Sequence, residues 1–414
     1  MSSRLSQRFP LSLVIRSSGS WALASRMYVY LSGFVAVFLL SANVPAAQFG
    51  EYSIYQSALE LGLIVGTLGS SIVFAKHATM VPPTVYSGDV WRTLSIGVPI
   101  AGLLIGAMLF AQGLQPLSQS TACILLSLVF FAFNTLRLAW RRGRGEAGLL
   151  NLEAGLRATM LISGIVVCLL RHEVLTVTYL LQVNLLSIVA VTIVLLLTDT
   201  RGTPPPPGAA ALGMHTQVAA TGYSLMAFVL RKADLLIVAF FMPLAYVGAF
   251  KLAFLLAEAP SQFVIAYLYT HTPAMLAARK GGTHGRLPLA RKSLMLGLAL
   301  FAGLALFLQV FGPLLKFGDE ARSILLCLLP YFLLRTYTVH HEILLQLNTR
   351  LRLLGAWTLV EVFTRLLSYA AVLWAFPEKP HYVFFIATIF EFVSYELRAR
   401  SVLGFLPCTR LWRR

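Results

Sequence analysis

The chain reads as an all-α polytopic membrane protein, with about twelve transmembrane helices in two parallel-repeat six-helix bundles. Three observations predict this. Hydrophobic residues make up 58% of the 414 residues and charged residues only 12%, with a mean hydropathy of +0.77. The apolar residues fall into stretches of about 20, the length a helix needs to cross roughly 30 Å of hydrocarbon. The basic residues alternate between the two sides of those stretches. No loop is long enough to fold as a domain. The work of such a chain is done inside the bilayer, which favours moving something across it and disfavours most enzymes.

The spans are helical because a lipid-exposed backbone must satisfy its own hydrogen bonds, and barrel strands would give short alternating segments instead. Span one covers 20–42, with Arg26 close enough to its cytoplasmic end to snorkel. Arg26 followed by Met27–Leu40 mimics a signal peptide, but later spans keep their charge pattern only if this one stays. Span two, 53–75, carries Glu60, and spans three and four cover 94–112 and 118–140. Span five, 147–170, holds Glu153 and Arg157; span six is 177–198. After a linker, span seven, 217–241, holds Arg231, Lys232 and Asp234, and span eight, 246–271, holds Glu258. Span nine is 293–311. Span ten, 322–345, has Pro330 five residues before Arg335, a kink position. Span eleven, 354–374, holds Glu361 and Arg365, and span twelve, 381–397, holds Glu391.

Twenty-two of the 33 Lys and Arg fall on one side of these spans. Five, Arg171, Lys251, Lys316, Arg322 and Lys379, fall on the other, and the rest lie within spans. Cytoplasmic segments collect Lys and Arg, so both termini and the loops 137–146 and 279–292 are expected in the cytoplasm, with 113–117 and 171–176 outside. This topology and contact with anionic headgroups account for the net charge of +17 without nucleic acid. Cys123, Cys168, Cys327 and Cys408 are scattered, with no C-x-x-C spacing, and read as packing residues. His340-His341-Glu342 lacks a spaced third ligand, so no metal site is expected.

Segment 199–216, with the run Pro204 to Pro207, is the one linker-like stretch, because consecutive prolines cannot continue a helix. It divides the chain into an N-terminal bundle, 1–198, and a C-terminal bundle, 217–414. Six spans per half give both halves one orientation, so a repeat would be parallel. Phe49-Gly50-Glu51-Tyr52 and Val247-Gly248-Ala249-Phe250 match at an offset of 198, which also lays Glu60 on Glu258 and Arg137 on Arg335. Spans five and eleven share an E-x-x-x-R pair, Glu153/Arg157 and Glu361/Arg365.

The stretch Ala47-Gln48-Phe49-Gly50-Glu51-Tyr52-Ser53-Ile54-Tyr55, with the apolar run to Gly66 and Gly69, resembles the start of Wzx-type polysaccharide flippases. These belong to the multidrug/oligosaccharidyl-lipid/polysaccharide exporter superfamily. Arg231-Lys232-Ala233-Asp234-Leu235-Leu236-Ile237, then Val247-Gly248-Ala249-Phe250 and Pro273, resemble that family's pattern in spans seven and eight. The resemblance implies two six-helix bundles around a central cavity, moving an isoprenoid-diphosphate-linked oligosaccharide across the bacterial cytoplasmic (inner) membrane by alternating access. It also implies work alongside a polysaccharide polymerase and chain-length machinery.

A charge at the bilayer centre costs about 2.5–3.5 kcal/mol on insertion scales, so such residues normally face a cavity or a partner. Glu153/Arg157 and Glu361/Arg365 are i,i+4 pairs and Arg231/Asp234 is i,i+3, so each is open to a purely self-neutralising role. Arg157, Arg231, Arg335 and Arg365 nonetheless fall near mid-span, beyond comfortable snorkelling reach. If their faces converge, they and Lys232 make a basic chamber suited to the paired oxygens of a diphosphate. Glu60, Asp234 and Glu258 are the candidate coupling or gating carboxylates, with hydrogen bonding to a neighbouring helix as the plainer alternative for Glu60 and Glu258. No cofactor is expected. Coupling to protons or sodium ions, and transport driven by substrate supply alone, are all compatible with the sequence.

Two other functions compete. An exporter of small cationic drugs would want an acidic, aromatic-lined cavity, against which the arginine excess argues. A membrane glycosyltransferase or polysaccharide polymerase would need reactive groups on a long external loop, and the outer loops here are short.

Overall fold

The computed structural model describes residues 19–71, 83–115, 118–143, 148–198, 214–231, 233–270, 287–311, 318–348 and 351–403. Among them the structure is all-helical. The helices are α1 (Gly19–Asn43), α2 (Ala46–Gly66), α3 (Pro83–Ala111), α4 (Gln119–Gly143), α5 (Gly148–Leu170), α6 (Val177–Leu197) and α7 (Met214–Arg231). They continue with α8 (Ala233–Phe241), α9 (Leu244–Thr270), α10 (Leu287–Phe311), α11 (Gly318–Asn348), α12 (Leu351–Ala375) and α13 (Val383–Leu403). A 3₁₀ turn, Pro380–Tyr382, joins the last two.

Helix ends depart from the apolar windows for local reasons. α3 starts at Pro83, eleven residues before the expected span, because proline is well placed in a first helical turn and the polar residues after it still propagate the helix. α2 starts at Ala46 and gives way at 67–70 to a turn in which Leu68 and Gly69 have φ of 47° and 56°. That turn interrupts the span expected over 53–75, of which residues 72–75 lie outside the described residues. α6 is opened by Thr176, whose side chain accepts from the Tyr179 amide. α11 runs through Pro330 as one helix. The span expected over 217–241 is helical on both sides of Lys232, as α7 and α8, and Lys232 itself lies outside the described residues.

Among the described residues, six stretches are long and apolar enough to cross a membrane: Gly88–Ala111, Gln119–Arg141, Val177–Leu197, Leu244–Ile265, Arg291–Val310 and Ala356–Ala375. Shorter apolar stretches include Gly155–Leu170 and Gln217–Leu230. Leu103, Leu197 and Trp374 are 78%, 80% and 89% exposed, which water would penalise and lipid does not. The chain is a multi-pass membrane protein.

The chain divides into two compact units, residues 1–36 with 54–225, and residues 37–53 with 226–414. In the first, α4 packs on α6, and α5 and α3 flank that pair. Val90, Leu94, Ala132, Leu136 and Trp140 form its α3–α4 core. Arg141 is buried and donates to the Leu195 carbonyl at 3.3 Å and to Thr198 Oγ1 at 3.1 Å. It thereby caps the carbonyl end of α6, where a cation is favoured.

In the second unit α11 is central, packed against α9, α10 and α13, and α12 packs on α13. Phe250, Phe254, Phe332, Tyr331 and Phe384 interlock in edge-to-face and tilted contacts. The starts of α2 and α9 cross in this unit with almost no clearance. A Cβ on Gly50 would lie 2.0 Å from the Leu244 carbonyl oxygen, and one on Gly248 would lie 2.1 Å from that of Ala46. The contact is reciprocal: Gly50 and Gly248, and likewise Ala46 and Leu244, are related by the same offset of 198 that relates the matching sequence motifs. Only glycine fits at either position.

Candidate functional site

The second unit carries a buried ion network that, with an adjoining pair, draws on five helices. Asp234 lies in the first turn of α8, where the helix dipole favours an anion, and is 1% exposed. Arg365, on α12, is 3% exposed. Its Nε lies 3.7 Å from Asp234 Oδ1, and its Nη2 donates to Glu391 Oε1 of α13 at 3.1 Å and to the Tyr331 hydroxyl of α11 at 2.7 Å. Tyr331 donates in turn to Glu391 Oε1 at 3.0 Å, and Tyr369 donates to Asp234 Oδ1 at 2.8 Å. The guanidinium carbon stands 4.8 Å from the Tyr331 ring centre and 5.2 Å from that of Phe384. Burying charge this deeply is costly unless hydrogen bonds meet the ions, and the two tyrosines supply part of what is needed.

A second pair adjoins it in the same unit. Arg335 Nη1 of α11 lies 3.8 Å from Glu258 Oε1 of α9, which also accepts from Gln262. Helical spacing places these groups: Tyr331 precedes Arg335 by four residues, and Tyr369 follows Arg365 by four, so each tyrosine shares a face with its arginine.

A cavity of about 170 Å³ opens between α12 and α13 beside this network. Trp357, Glu361, Arg365, Phe390, Glu391 and Ser394 are among its lining residues, and Ser394 donates to Glu361 at 3.0 Å. Arg365 Nη1 is buried and makes no hydrogen bond among the described residues. Among the described residues, Asp234, Glu258, Glu361 and Glu391 outnumber Arg335 and Arg365 here.

The sequence-derived candidates are therefore distributed. Arg335, Arg365, Asp234 and Glu258 come together within the second unit. Arg157 is in the first unit, on α5, where Nη2 donates to Asn184 Oδ1 of α6 at 3.3 Å and the guanidinium sits 4.2 Å from the Phe131 ring centre of α4. Glu60 is half-buried on α2, also in the first unit. Arg231 ends α7, but its side chain, that of Glu153, the His340-His341-Glu342 side chains, Lys232, Pro273 and most of the 199–216 linker lie outside the described residues. The sequence suggested Glu361 as the partner of Arg365. Arg365 instead forms its ion pairs with Asp234 and Glu391. Tyr331 and Tyr369 went unnoticed in the sequence, although their spacing from Arg335 and Arg365 was there to read.

No family model matches the chain, and no curated protein matches it. Solved structures do match in fold. One is described as the inward-facing conformation of a multidrug resistance MATE family transporter of the MOP superfamily. It is 15% identical, covers 97% of both chains, and has a TM-score of 0.56. A second, the outward-facing conformation of such a transporter, is 14% identical over 96% of this chain and 97% of its own, with a TM-score of 0.51. A third, described only as protein A, is 16% identical over 95% of both chains, with a TM-score of 0.65. At these identities the likeness shows the fold.

Proposed function

We propose that the protein is a transporter that moves an isoprenoid-diphosphate-linked oligosaccharide across the bacterial cytoplasmic membrane by alternating access. The observation that carries this reading is the buried ion network of α8, α9, α11, α12 and α13, with two arginines deep inside a membrane bundle. A bundle with no polar cargo has no use for charges that cost this much to insert. The fold supports the reading, because structures sharing it are described as both inward- and outward-facing conformations of a transporter of the MOP superfamily. The saccharide comes from the resemblance carried by Ala47–Tyr55 and Arg231–Ile237. Cytoplasmic termini, a role other than catalysis, and association with polymerase and chain-length machinery belong to the same reading.

A second reading, export of lipophilic cations, is favoured by the α12–α13 cavity. Glu361 and Glu391 with Trp357 and Phe390 give it the acidic, aromatic lining that a cation prefers. One experiment separates the two. Purified protein in sealed vesicles is supplied either with a lipid-diphosphate-linked oligosaccharide, followed by leaflet-resolved glycosidase access, or with a fluorescent lipophilic cation, followed by quenching. Saccharide movement without cation movement is expected. Cation movement alone would replace the flippase reading with the exporter.

A further inference from the structure

The 3₁₀ turn between α12 and α13 carries a buried histidine that the ion network does not use. His381 is 4% exposed, and its Nδ1 is hydrogen-bonded to the Tyr246 hydroxyl on the first turn of α9. With the ring neutral, the phenol donates to Nδ1 and the ring proton sits on Nε2, which is buried and makes no hydrogen bond among the described residues. This contact joins the turn to α9 two residues before Gly248, at the crossing with α2.

We propose that the Tyr246–His381 hydrogen bond is an acid-sensitive latch, and that protonation of His381 frees the α12–α13 turn from the start of α9.

Protonation removes the acceptor, because Nδ1 then carries hydrogen and Tyr246 can no longer donate to it. It also places a cation in a buried site with its second N–H unmet. Charged and titratable neighbours do little to relieve this. The turn itself contributes Lys379, a like charge, and Tyr382, whose ring meets that of His381 edge-on. From α11, Glu320 and Cys327 act on the Tyr246 end. Phe376, just after α12, and Phe385 of α13 place their rings around Tyr382.

Burial, and secondarily Lys379, push His381 down from 6.5 to about 4. The sign follows from linkage. A histidine lowered in the closed state binds more protons when the latch is open, so whatever stability the contact gives to closure is fully present above pH 6.5. As pH falls from 6.5 to about 4, the closed-to-open ratio drops by at most about tenfold per pH unit, and below that no further loss accrues. The inference is independent of the cargo.

The test uses the full chain in lipid nanodiscs, with its native cysteines replaced and spin labels on the exposed positions Ala245→Cys and Glu378→Cys. The 245–378 distance should be short and narrow at pH 7.5 and should lengthen and broaden as pH falls to 4. His381→Gln keeps a neutral hydrogen-bonding group and should hold the short distance throughout. Tyr246→Phe should be long at every pH, and Lys379→Gln, by relieving the closed-state histidine of a like charge, should shrink the lengthening seen at pH 4. A pH-invariant distance in the otherwise unaltered chain overturns the latch, as does the same pH response in His381→Gln. If His381→Gln does not fold, the parent chain and Tyr246→Phe still decide, because a short distance in Tyr246→Phe at pH 7.5 is equally fatal.

Discussion

Arg365 holds two carboxylates and a phenol at once while almost wholly buried. Arg365→Ala should therefore strand Asp234 and Glu391, at a cost of about 3–5 kcal/mol. A lowered melting midpoint in nanodiscs is the measurement. Arg365→Lys should recover only part of this, because one ammonium cannot reproduce a fork that spans two acids. Combining Arg365→Gln with Asp234→Asn should restore more stability than either change gives alone. An unchanged midpoint in Arg365→Ala would mean the network contributes nothing to folding. The sequence located Arg365, Asp234, Arg335 and Glu258 as intramembrane charges worth explaining. It offered Glu361 as one open alternative for the partner of Arg365, because i,i+4 spacing reports neighbours on one helix, whereas the pairing observed runs between α12, α8 and α13. Which helices pack together is a tertiary property that hydropathy does not carry.

Helix identity was legible from apolar run length, and helix ends were not. Hydropathy windows register the segment in hydrocarbon, while α3 and α11 continue into polar residues beyond it. The Gly50 and Gly248 motifs were visible as a repeat, but their reason is steric and appears only when α2 and α9 are seen to cross. Gly50→Ala or Gly248→Ala places a methyl against a backbone oxygen that cannot rotate away. Each should cost roughly 1–3 kcal/mol or more by overpacking. Gly106→Ala meets open space within a helix and should instead be neutral or stabilising by about 0.5–1 kcal/mol. Thermal midpoints of the three single variants check this, and equal midpoints would remove the crossing as a constraint.

At the scale of the molecule, the all-helical membrane fold followed from composition and run length, because the bilayer leaves few alternatives to a helix. The positive-inside rule makes a prediction about sidedness. Single cysteines at 115 and 283 should be labelled from opposite sides of the membrane, position 115 from outside, and labelling of both from one side would reverse or break the proposed topology. The division into units at 36/37, 53/54 and 225/226 was not legible, since it falls within helices that hydropathy treats as uniform. The start of α2 therefore belongs with the unit that contains α9, and the two crossing glycines share a single gap. Once one methyl has pushed the helices apart, the second finds its space already opened. The double variant Gly50→Ala/Gly248→Ala should thus lose clearly less than the summed losses of the two single variants, as two strangers jostling at one doorway widen it only once.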